Sequence, residues 1–235
     1  MPSDTHGPAL RGGSPDRRGR LQSRNAAVPH GVSAPSSLEP VPQEVGKVMS
    51  RADDIQELID GGETRRTDFK AACAFVEPSR AVLAKDIIAM SNTRDGGSIV
   101  VGVAEGPGRR PIIEGLTDEQ LASFDITKVG DYVNKWVAPH VKLSLERVEI
   151  AGKAIAVLSV AEFATQPLVC LRNGPIGEGN KAVFFEGDLL IRTEAAQSRR
   201  VQSADEMQAL LRLAIAKTGD DLLSQMKRII EGKHA

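Results

Sequence analysis

The pattern of apolar and polar positions changes character near residue 46. Upstream, apolar residues stand singly among serines, glycines, arginines and prolines. Seven of the 13 prolines (Pro2, Pro8, Pro15, Pro29, Pro35, Pro40 and Pro42) fall there. Such a segment cannot bury enough surface to offset its ordering entropy, so residues 1–45 are expected to form a disordered tail. Downstream, periodicity sets in. Ser50 is a helix N-cap, Asp53 and Asp54 follow in the first turns, Ile55, Leu58 and Ile59 make an apolar stripe, and Gly61-Gly62 stops the helix. Residues 65–71 alternate as a strand, with Thr67 and Phe69 on one face and Asp68 and Lys70 on the other. Residues 78–93 read as a second helix whose face carries Val82, Leu83, Asp86, Ile87 and Met90.

After the Asp95-Gly96-Gly97 turn, residues 98–103 (SIVVGV) form a β-branched run, as in a strand buried on both faces. A loop at 106–111 and a helix at 126–137, with Tyr132 and Trp136, come next. The pattern then predicts a hairpin (141–150 and 154–160 around Ala151-Gly152) and further strands at 167–172, 182–185 and 188–193. Two helices, 204–217 and 219–231, close the chain. Strands and helices mix without regular βαβ alternation. The expectation is therefore an α+β fold: one domain, residues 46–217, with a central mixed β-sheet flanked by helices, followed by an amphipathic helix at 218–235.

Composition narrows the chemistry. Of four histidines, His6, His30 and His234 lie near the termini, leaving His140 alone in the folded part; this excludes a multi-histidine zinc site. Aromatic residues make up 3%, too few for a base-stacking platform. Cys73 and Cys170 have no metal-binding spacing and read as thiols of a reducing compartment, so a cytoplasmic protein is expected. No apolar stretch is long enough to span a membrane. The formal charge is −1, so binding driven by bulk charge is excluded while a local basic patch is not.

What remains is carboxylate, lysine and arginine chemistry. Asp68 and Lys70 share one strand face; a carboxylate there can hold a hard cation and a lysine can neutralise a phosphate. Glu63 lies just past the helix stop, and Glu105 follows the buried strand, at the same sheet end as Asp68 if the two strands are neighbours. Three carboxylates without histidine favour Mg²⁺ or Mn²⁺ over zinc. An ordinary solvated Asp68–Lys70 pair is the competing account. Arg65-Arg66, Arg109-Arg110 and Arg199-Arg200 are candidate phosphate contacts, as are Arg17, Arg18, Arg20 and Arg24 in the tail. Gly174-x4-Gly179-Asn180-Lys181 departs from a P-loop, because Asn180 separates the glycine from the lysine and Ala182 follows.

As an ordered set, Gly62-Glu63, Asp68-Phe69-Lys70, Ser91-Asn92-Thr93, Gly96-Gly97, the run from Ile99 to Val103, Glu105, and Ile113 to Leu116 resemble the Schlafen AlbA_2 domain. The later GDLLIRTEAAQSR resembles that family's last conserved segment, and the likeness spans about residues 50–215. The resemblance implies nucleic-acid binding, to RNA or DNA. In the Schlafen nucleases three acidic residues form a metal-dependent RNA-cleaving site, which by position would fall on Glu63, Asp68 and Glu105, with Lys70 beside them. Asp68 stands where the family usually has Glu, which shortens the reach by one methylene. The nucleases also pair two lobes, which for this single lobe implies a homodimer. A non-catalytic DNA-binding or transcription-regulatory module is the alternative.

Overall fold

The computed structural model describes residues 50–177 and 180–231. The expected tail, with Arg17, Arg18, Arg20 and Arg24, lies outside the described residues, as do residues 178 and 179 of the glycine-rich loop. The first helix is α1, Arg51–Asp60. Its Ser50 side chain accepts from the Asp53 amide, while the Asp53 carboxylate accepts from the Ser50 amide, a reciprocal capping box. Strand β1, Thr67–Lys70, leads into α2, Ser79–Ser91, and then β2, Gly97–Val101. β1 and β2 pair in parallel, with Asp68 opposite Ile99. The hairpin β6 (Leu143–Ile150) and β7 (Lys153–Val160) completes a four-stranded sheet of order β1-β2-β7-β6, antiparallel except for its first pair. The mixed α+β architecture read from the sequence is what the chain forms.

Both sheet faces are covered, which accounts for the unbroken apolar run of β2. On one face α1 sets Ile55 and Ile59 against Phe69, Val100, Ile155 and Val157. On the other, α2 and α4 (Ile126–Asn134) bury Leu83, Ile87, Val129 and Val133 against Ile99, Val101, Ala156 and Leu158. The Gly96-Gly97 turn joins α2 to the sheet. Gly96 has φ +64°, and a Cβ there would lie 2.0 Å from the Val160 carbonyl oxygen; at Gly97 it would lie 2.3 Å from that of Arg66.

Several short elements escape the sequence pattern. β3 (Val103–Glu105) and β4 (Pro111–Ile113) form a small hairpin where a loop was expected, and α3, Asp118–Ser123, precedes α4. The expected strands at 167–172 and 188–193 do form, as β8 (Val169–Cys170) and β9 (Leu190–Arg192), but their partners, β5 (Val137–Ala138) and β10 (Ser198–Arg200), were not expected. Residues 182–185 are not a strand; only an isolated Ile176–Ala182 bridge forms there. α4 ends at Asn134, so Trp136 lies past it, packed edge-on to Tyr132 at 6.2 Å. The two expected terminal helices are one, α5, Ala204–Glu231, running through Gly219. An interior glycine costs a helix about 1 kcal/mol, which weakens it without breaking it. No helix among the described residues is long and apolar enough to cross a membrane.

Candidate functional site

Strand alternation puts Asp68 and Lys70 on the α2 side of β1, as expected, but there the side chains meet other charges. Asp68 and Asp86 are both buried, and the Lys70 ammonium bridges them at 2.5 and 2.8 Å. From β9 comes Arg192, only 2% exposed. Its Nη1 donates to Asp68 Oδ1 at 2.8 Å, and its Nη2 donates to the carbonyls of Thr64 and Thr67, each at 3.2 Å. The cluster is thus two cations and two anions enclosed between β1, α2 and β9. Burial, and then the Asp86 carboxylate, push the Asp68 carboxyl above its ordinary range, against the pull of Lys70 and Arg192. Burial disfavours the Lys70 ammonium, yet Asp86 and Asp68 outweigh it and hold its pKa above the usual lysine value.

Glu63 and Glu105 lie elsewhere. Glu63 folds back so that its Oε1 accepts from the Phe69 amide at 2.9 Å, at the entry of β1. Glu105 is exposed at the end of β3, 3.6 Å from Arg109 Nε across the turn. The two line one cleft together with Arg109 and a third carboxylate, Glu194. Asp68 is not part of that lining. The expected convergence of Glu63, Asp68 and Glu105 is therefore corrected: the pleat sends Asp68 to the α2 face, while Phe69 shares the other face with the cleft. Among the described residues, no three His, Cys, Asp or Glu side chains are grouped so as to hold a metal ion. Both Asp68 oxygens are already engaged by cations, so these residues do not fit a shared Mg²⁺ or Mn²⁺.

Arginines occupy the adjoining surface. A second cleft, sharing Glu63 and Glu194 with the first, is lined by Arg65, Arg66 and Arg94. Arg65 contacts Glu194 at 2.8 Å and Arg66 contacts Asp95 at 3.6 Å, both in exposed pairs. Arg94 is exposed just past α2 and makes no ion pair among the described residues. Arg110 is exposed beside Arg109, whereas Arg199 is bound to Glu206 at the start of α5. Ser91, Asn92 and Thr93 are structural. The Asn92 amide group donates to the Leu168 and Leu190 carbonyls and accepts from the Leu168 amide, at 2.8–3.0 Å. Ser91 Oγ donates to the Ala161 carbonyl, and Thr93 Oγ1 to that of Ala89.

A family model described as Schlafen, AlbA_2 matches residues 63–199. The chain belongs to the Schlafen AlbA_2 family. The match opens at Glu63 and closes at Arg199, so it takes in the sheet, α2 and both arginine-bearing clefts, and leaves α1 and α5 outside. None of the curated proteins compared with the chain matches it. Among solved structures, the chain is similar to the DIP2311 protein of Corynebacterium diphtheriae, at 19% identity and a TM-score of 0.39, over 61% of this chain and 23% of that one. It is also similar to the N-terminal domain of a RecG-related protein of Nitrosomonas europaea, named for an ATP-dependent DNA helicase. That likeness has 18% identity and a TM-score of 0.40, over 66% of this chain and 97% of that domain.

Within the AlbA_2 match, the residues that sequence reasoning missed are Asp86, Arg94, Arg192 and Glu194. Asp86 had a visible signal, a carboxylate on an otherwise apolar helix face, which calls for a buried cation. Arg192 had one as well, a cation at the end of the apolar run Leu189-Leu190-Ile191.

Proposed function

We propose that this chain is a cytoplasmic nucleic-acid-binding module, which grips phosphates through the arginines around its two clefts. The observation that carries the reading is the grouping of Arg65, Arg66 and Arg94 on one cleft, with Arg109 on the next. Exposed ion pairs contribute little stability, so a phosphate can displace Glu194 or Asp95 at small cost. Membership of the AlbA_2 family supports nucleic acid as the partner. Unbridged Cys73 and Cys170 are consistent with a reducing compartment.

Binding rather than cleavage is favoured because Asp68, the central carboxylate of the expected catalytic set, is taken up by Lys70 and Arg192. The test uses labelled tRNA and single-stranded DNA, with binding followed by fluorescence anisotropy and cleavage followed on gels with Mn²⁺. The wild type should bind without cutting. The triple variant Arg65→Ala, Arg66→Ala, Arg94→Ala should lose about tenfold or more in affinity with an unchanged melting temperature. Undiminished binding by the triple variant would sink the assigned surface. Cleavage that Glu63→Gln or Glu105→Gln abolishes would replace the binding module with a nuclease.

A further inference from the structure

α5 leaves the domain half-way along its length. Leu210 and Leu213 are buried against the core, Lys217 pairs with Glu162 at 2.7 Å, and Thr218 Oγ1 donates to the Thr165 carbonyl at 3.4 Å. Beyond that point every residue from Asp220 to Ile229 is exposed. The exposed part is nonetheless not polar. Ile215, Leu222, Leu223, Met226 and Ile229 are each more than half exposed. Positions 215, 219, 222, 226 and 229 follow the alternating four-and-three spacing of a heptad seam, occupied by Ile, Gly, Leu, Met and Ile. A continuous apolar stripe on a projecting helix marks an interaction surface.

We propose that this stripe is a homodimer seam, in which α5 of one chain lies antiparallel on α5 of a second copy. Two features of the helix select that occupant and that direction. The first is charge. Asp220 and Asp221 sit at the start of the projecting part, Lys227 and Arg228 near its end. A parallel pair would set each charged group against its own copy. An antiparallel pair centred on Ser224 sets the acidic end of each helix beside the basic end of the other. The second is shape. In the same register, Leu222 meets the partner's Met226, and Gly219 receives the partner's Ile229. A large side chain then fills the space left by a small one, in symmetric layers. The register that matches the charges is the register that matches the sizes. This inference does not rest on the nucleic-acid reading, and it fails or stands separately from it.

The test is the mass of the full chain in solution. Light scattering and sedimentation, from about 1 to about 200 µM, should show a monomer giving way to a dimer. Leu222→Glu combined with Met226→Glu should raise the dissociation constant by about 30-fold or more. Because both side chains are exposed in the single chain, the denaturation midpoint measured at monomeric dilution should not move. Direction is read from cysteine variants in a Cys73→Ser background, with an added oxidant to take the electrons of the thiol pair. Gly219→Cys mixed with Ile229→Cys should give the mixed disulfide, and each alone should stay unlinked. A monomer at every concentration, or a dimer indifferent to the double Glu variant, would overturn the seam. Efficient self-linking of either cysteine variant would overturn the antiparallel arrangement.

Discussion

Arg192 and Asp68 illustrate how far one side chain can redirect the reading of a motif. Read along the sequence, Asp-Phe-Lys suggested a cation site. In the fold, its carboxylate is one of two anions in a closed four-charge cluster, and besides Lys70 it meets a cation from 124 residues away. An early and a late segment of the AlbA_2 resemblance, those holding Asp68 and Arg192, thus meet in the core. Removing one partner of such a pair leaves an uncompensated charge in a place water does not reach. Arg192→Met should therefore destabilise the chain by about 3–5 kcal/mol, read from urea denaturation. Asp68→Leu combined with Arg192→Met leaves Lys70 with Asp86 as a matched pair and should recover much of the loss. A double variant no better than Arg192→Met alone would show that Arg192 matters through its bonds to the Thr64 and Thr67 carbonyls instead. Arg192 stood out in the sequence but its pairing with Asp68 did not, because periodicity reports faces, whereas long-range pairing is set by the packing of α2 and β9 on β1.

The elements that could be read in advance are those whose periodicity fills several turns or pleats: α1 with its Ser50 N-cap, β1, α2, β2 and the β6–β7 hairpin. Those that could not are three-residue strands such as β3, β4 and β10, too short to show a repeat, and α5, whose Gly219 imitates a break. The Ser91-Asn92-Thr93 segment was legible as the end of α2 but not as what it does there. Its backbone ends the helix, while the Asn92 side chain reaches across to the segments leading through Leu168 and Leu190, tying α2 to β8 and β9. Because Asn92 is buried, Asn92→Ala would strand two carbonyls and one amide away from water. The expected cost is about 2–4 kcal/mol in chemical denaturation. Hydrogen exchange should place the loosening locally, with the amides of Leu168 and its neighbours exchanging faster than those of β2 and β7. A uniform change across the whole sheet would deny Asn92 that local role.

At the scale of the whole molecule, the near-zero charge and the arginine clefts make a joint, measurable statement. A protein carrying 25 basic against 27 acidic residues outside its first 45 has no general attraction for polyanions. On the proposed reading, affinity for nucleic acid comes from local arginines, and the clefts around Glu194 bring four of them together, Arg65, Arg66, Arg94 and Arg109, beside carboxylates that a phosphate would displace. Each phosphate neutralised releases condensed counterions, so the salt dependence of binding counts the contacts. The four arginines of the two clefts, Arg65, Arg66, Arg94 and Arg109, should give a slope of log K against log salt near −3 on a single strand, at about −0.7 per contact. Arg94→Ala removes the arginine with no carboxylate to displace. It should reduce the slope by about 0.7 and weaken binding to unrelated sequences alike, since a phosphate contact carries no base information. A slope unchanged by Arg94→Ala would exclude the second cleft as the contact surface. A wild-type slope steeper than about −4 would mean that more cations are engaged than the clefts supply. The arginines of the first 45 residues, Arg17, Arg18, Arg20 and Arg24, would then be the next to substitute, and the slope would have to fall in step with the number removed.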